Sequence, residues 1–99
     1  MTIKEIRSGD SMTVELEGRL DTLSAPELDE FLQKYYPAIE ELILDLAKLD
    51  YLSSAGLRVL VKAHKAMQGK TGGLVVRNAN RLVMGVFSVT GFTDLLRIE

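Results

Sequence analysis

Hydrophobic and polar positions alternate with different rhythms along this chain, and each rhythm predicts an element. Met12, Val14 and Leu16 trade places with Thr13, Glu15 and Glu17, the period of two expected of a strand with one wet face. Thr2 to Arg7 precedes that strand across the turn signal Ser8-Gly9-Asp10, so the two read as a hairpin. Leu28, Phe31, Leu32 and Tyr35 then recur at helical spacing. Ser24-Ala-Pro-Glu27 ahead of them has the form of a capping box with proline in the first turn, and Pro37 stops the helix. Glu41 to Leu46 is almost uniformly apolar, which predicts an interior, parallel strand covered on both faces.

Ser53 or Ser54 caps a second helix reaching about Gln68. Leu57, Val59, Leu60, Ala63 and Met67 share one arc of it, and Arg58, Lys62 and Lys65 form a basic stripe on another, toward solvent. Gly69 to Gly73 is a loop and Leu74 to Arg77 a short strand. Asn80 to Thr90 is a third helix bearing Leu82, Val83, Val86 and Phe87 and ended by Gly91, and Leu95 to Ile98 can close the sheet. The order β-β-α-β-α-β-α-β describes a single α/β domain over residues 1–99, with a mixed, mostly parallel sheet and helices packed on it.

Composition narrows the chemistry. The 99 residues are 46% hydrophobic and 26% charged, as in folded globular domains. Apolar runs reach only three residues against the roughly 20 needed to cross a bilayer, and the charged N-terminus lacks the apolar stretch of a signal peptide, so the expected place is the cytoplasm with no membrane contact. Having no cysteine removes disulfides, thiolate metal sites and cysteine nucleophiles, and the single histidine, His64, reads as a partly buried structural residue. No metal or cofactor is expected. Gly69-Lys70-Thr71 resembles the tail of a phosphate-binding loop, but the glycine needed five positions earlier is His64, within a helix. The adjacent acids Asp29-Glu30 and Glu40-Glu41 read as solvated surface.

Charge is distributed unevenly along the chain. Residues 1 to 50 hold twelve acids and five bases, and residues 51 to 99 two acids and seven bases, so halves of −7 and +5 make a net −2. Either the halves interleave and pair, or the surface is polarised and steers a charged partner. The small net charge gives no drive toward nucleic acid.

One stretch is placed for function: Asp50-Tyr-Leu-Ser53-Ser54-Ala-Gly56-Leu57, from the interior strand into the second helix. Ligand sites of open α/β sheets lie at this carboxyl edge of the strands. Capping explains one serine, and Gly56 near the helix start is unfavourable unless something approaches the backbone there. A right-handed crossover through the first helix brings Asp21 to the same edge, beside Ser54. The patch has no base to activate a hydroxyl, so a serine that is acted upon fits better than one that acts, and the protein reads as no enzyme.

Gly18-Arg-Leu-Asp21 before Ser24-Ala-Pro, the strand Leu42 to Leu46, Asp50-Tyr-Leu-Ser-Ser-Ala-Gly-Leu57, and Val83 to Phe87 leading to Gly91-Phe92 occur in an order that resembles the STAS family, the fold of bacterial anti-sigma factor antagonists. The resemblance covers nearly the whole chain. It implies that the serine two positions before the glycine, here Ser54, is phosphorylated by a partner that is both a serine kinase and an anti-sigma factor. It further implies that the unphosphorylated domain binds that partner, and that a phosphatase restores the binding form. Asp21, Asp50, Ser53, Gly56 and Arg58 are the expected partner-binding residues. Two positions depart from the commonest pattern: Ser53 stands where many members have aspartate, and Ala55 where many have serine. The chain also ends at its last strand where many relatives continue into a helix. Other clients of the fold, in stress-signalling complexes or transporter-associated subunits, remain alternatives, as does a small nucleotide-binding α/β protein.

Overall fold

The computed structural model describes residues 1–99. Strand β1 (Thr2–Ser8) pairs antiparallel with β2 (Ser11–Leu20), as the alternation requires. Helix α1 (Ala25–Tyr35) runs into one 3-10 turn, Tyr36–Ala38, that accommodates Pro37. Then come β3 (Glu41–Leu52), α2 (Ser54–Met67), β4 (Gly73–Arg77), α3 (Arg81–Thr90) and β5 (Arg97–Ile98). The sheet order is β1-β2-β3-β4-β5, and every pair after the first is parallel.

Three crossovers step in the same direction across this sheet, so right-handed connections place all three helices on one face. The core lies between. Met12, Val14, Leu16, Leu42, Leu44, Leu46, Leu74 and Val76 of the strands meet Leu28, Leu32, Leu60, Ala63, Val83 and Phe87 of the helices in one cluster of 23 buried residues. Strand β3 is therefore covered on one face and not on two. Its apolar Ile43 points to the other side, where cross-strand neighbours Thr13 and Val75 leave it half-buried.

Two boundaries differ from the pattern reading. Strand β3 continues six residues beyond Leu46, so Asp50 and Tyr51 belong to a strand rather than a loop. Register shifts against β2, between Glu15 and Glu17 and between Gly18 and Arg19, insert extra residues into β3. Burial accordingly passes from Leu46 to Leu49 to Leu52, a spacing of three that breaks strand alternation. Strand β5 is two residues long, because Leu95 and Leu96 lie in the turns after α3. Gly91 ends α3 in the left-handed conformation at φ 80°, as a glycine past a helix can.

The capping box of α1 does not form. Ser24 stands at the helix start, but its side chain makes no cap. Its buried hydroxyl instead donates to the Arg19 carbonyl at 2.7 Å and accepts from the Asp21 amide at 2.9 Å. The acids read as plain surface also bind. Asp29 accepts from Lys62 at 2.9 Å, Glu40 from the Thr71 amide at 3.1 Å, and Glu41 from the Ser11 hydroxyl at 2.8 Å.

Candidate functional site

Parallel β2 and β3 end at the same edge of the sheet, and the residues that follow are tied together there. The Ser53 amide donates to the Leu20 carbonyl at 2.9 Å, locking the start of α2 to the end of β2. Gly56 makes this approach possible. A Cβ at that position would lie 2.6 Å from Cγ of Leu20 and 2.9 Å from its carbonyl oxygen. What comes close to the Gly56 backbone is thus Leu20 of the same chain, and Gly56 is buried there.

The two serines have different surroundings. Ser53 has extended backbone and accepts from the Gly56 amide at 3.2 Å, so it is the cap of α2. Ser54 is exposed in the first turn, and its hydroxyl has no hydrogen-bond partner in the chain. The amides of that turn give this end of a 14-residue helix a partial positive charge.

Asp21 lies at the same edge, in the loop after β2, but its carboxylate is spent locally. Oδ1 accepts from the amides of Leu23 and Ser24, each at 3.1 Å, and Oδ2 lies 3.7 Å from Nε of Arg19. The Ser24 amide bond, with help from the Ser24 hydroxyl, the Leu23 amide and Arg19, holds this carboxyl below the usual range. Asp21 therefore shapes the loop, and Leu23 stands out from it 89% exposed. Asp50 is exposed near the end of β3. Beside it the Arg19 guanidinium stacks 4.1 Å over the Tyr51 ring, across paired positions of β2 and β3.

Arg58 follows Ser54 by one turn and borders two shallow grooves. One is lined by Ser54, Leu57, Val61, Lys65 and Phe92, the other by Thr22, Pro26, Asp29 and Ala55, with Lys62 shared by both. Of the basic stripe, Lys62 is bound to Asp29 of α1, and that bond keeps the Asp29 carboxyl in its charged form to lower pH than usual. Arg58 and Lys65 have no acid within ion-pair range. Phe92 escaped the sequence reading as a neighbour of Ser54. The signal was the Gly91 stop, after which the chain turns back so that the Phe92 amide meets the Phe87 carbonyl at 2.8 Å. No three acidic, histidine or cysteine side chains stand together as a metal would need.

A five-stranded mixed sheet covered by three helices on one face, with an exposed serine at a helix start on the strands' carboxyl edge, makes this a small α/β module. The family model described as "Mlab, STAS domain" matches residues 3–97, and the chain belongs to the STAS domain family. It is 31% identical over 99 residues to the anti-sigma-B factor antagonist of Listeria monocytogenes, with 98% of this chain and 85% of that protein covered. In three dimensions it is similar to the anti-sigma factor antagonist SpoIIAA in its unphosphorylated form, with a TM-score of 0.86 at 15% identity over 99% of this chain and 88% of that one. The phosphorylated form of the Bacillus cell fate determinant SpoIIAA gives 0.79 at 14% identity, over 99% and 91%. Those two likenesses show the fold.

Proposed function

We propose that this protein is an anti-sigma factor antagonist whose binding state is set by phosphorylation of Ser54. The carrying observation is the division between the serines: Ser53 is used up as a cap, while Ser54 presents a free hydroxyl at an exposed helix start. The curated relative bears that activity in its name, and SpoIIAA exists in both phosphorylation states, which supports the reading. In it, unmodified Ser54 and the surface around Arg58 and Asp50 meet an anti-sigma factor with serine kinase activity. Phosphate then adds close to two negative charges at that surface, and a phosphatase removes them. The helix N-terminus tolerates the added charge, and Arg58 one turn along can pair with it, so the fold stays while the partner leaves. The domain itself carries out no catalysis in this scheme and works in the cytoplasm.

The test is to incubate wild type, Ser53→Ala and Ser54→Ala with the cognate kinase and ATP and to map phosphate by mass spectrometry. Wild type and Ser53→Ala should gain one phosphate at Ser54, and Ser54→Ala none. Phosphate on Ser53, or on Ser54→Ala at a distant site, would overturn the assignment. Arg58→Glu should weaken binding of the unmodified protein to that partner by about 1–3 kcal/mol, and wild-type binding should weaken with salt. Calorimetry showing unchanged affinity would remove α2 from the interface.

A further inference from the structure

Helix α3 buries Val83 and Phe87 in the core and turns a second apolar stripe to solvent. Leu82 is 58% exposed and Val89 89%, with Gly85 and half-buried Val86 between them, and together they line one shallow depression. No charged residue occurs from Leu82 to Thr93. Gly85 has no intramolecular reason to be glycine. Its φ is not positive, and a Cβ there would meet nothing within 4 Å. Glycine is nevertheless the poorest helix former after proline, so the fold alone leaves this position unexplained.

We infer that the exposed stripe of α3 is a self-association surface, occupied by α3 of a second copy of this chain running antiparallel to it. The stripe matches itself under a twofold axis, which falls between Gly85 and Val86. Leu82 of one copy then faces Val89 of the other, and each Val86 sits over the other copy's Gly85, where the missing side chain lets the helices come close. Charge agrees. Arg81 opens α3 at the end where a cation is unfavourable, has no acid within ion-pair range, and would lie beside the negative C-terminal end of the partner helix. Asp94, likewise unpaired, follows that end. An acidic or basic partner would find almost nothing on this face to pair with, and a lipid surface would need more than one cation around it. The patch is small, so association should be weak and dependent on concentration.

The experiment is sedimentation velocity from about 10 µM to about 1 mM, where a weak pairing becomes populated. Wild type should pass from monomer to dimer across that range, and Val89→Glu, fully folded by circular dichroism, should stay monomeric. Gly85→Ala separates the two explanations of the glycine. It should raise the melting temperature of the dilute monomer, since alanine favours the helix and has room, yet weaken the dimer by about tenfold. Leu82→Lys provides an independent probe of the stripe and should also abolish the dimer. A wild type that is monomeric throughout, or a dimer that Val89→Glu and Gly85→Ala leave as tight, would overturn the inference.

Discussion

Alanine at Ser53 removes the acceptor of the Gly56 amide, and loss of such a cap costs about 1 kcal/mol. Alanine at Ser54 removes a hydroxyl that nothing in the chain uses, so Ser53→Ala should unfold at lower denaturant while Ser54→Ala unfolds with wild type. A Ser54→Ala midpoint that drops as far would make Ser54 a structural residue. Gly56→Ala tests the neighbouring position. Alanine favours a helix by about 1 kcal/mol over glycine, but here its methyl meets the Leu20 carbonyl oxygen at 2.9 Å, and backbone yields less readily than a side-chain tip. We expect a net destabilisation of about 1–3 kcal/mol by urea unfolding. These residues were half legible in the sequence. The Ser-Ser-Ala-Gly segment after an apolar strand marked the place, and glycine there signalled a close approach. Which serine caps, and that Leu20 is what approaches, depend on the meeting of β2 with α2 and have no local signature.

Among the elements, α1 and α2 are joined at their surface by Lys62 and Asp29, whose side chains are 55% and 23% exposed. Such a pair is screened, so Lys62→Met, which keeps the stem and removes the charge, should cost only about 0.5 kcal/mol in thermal unfolding. The clearer effect lies in titration. The Lys62 bond holds the Asp29 carboxyl below its ordinary range, and in Lys62→Met its pKa, followed by NMR, should rise toward that range. An unshifted titration would assign the lowering to another group. The order of the α-helices and strands was readable because β2, α1, α2 and α3 carry their periods over ten residues or more and turn signals bound the shorter strands. The far half of β3 was not, since extra residues opposite β2 replace a spacing of two with one of three. The capping box failed for a related reason: Ser24 is drawn to the Arg19 carbonyl, a contact set by the turn after β2.

For the whole molecule, part of the unequal charge is paired between the two halves. Lys62 with Asp29 and Lys70 with Glu40 pair the basic half with the acidic half, while Arg58 and Lys65 stay free beside Ser54. Three carboxyls that hold distant or turning segments, Asp21, Asp29 and Glu40, titrate lower than usual; the causes are led by the Ser24 amide, the Lys62 ammonium and the Thr71 amide respectively. A depressed carboxyl stabilises the fold above its unfolded pKa, near 4, and loses that contribution as pH falls through the lower folded value. Denaturation midpoints should therefore change little from these groups between about pH 7 and 5 and fall steadily below about pH 4. A midpoint that holds constant down to about pH 2.5 would show that these bonds do not stabilise the native state.

Because the strands lie side by side in the order in which they occur in the chain, no two paired positions are more than 32 residues apart. Loop closure is then never expensive, and folding can proceed by accretion: a first β-α-β unit forms, and each later helix and strand is laid beside the last one placed. Growth of this kind needs no threading and no waiting for a distant segment. It also means that every incomplete product, whether a nascent chain or a C-terminal truncation, ends on a strand whose outer edge is unpaired. Partly made copies of this domain should therefore be more prone to join one another through their sheet edges than the finished one, in which only the two-residue β5 occupies that position.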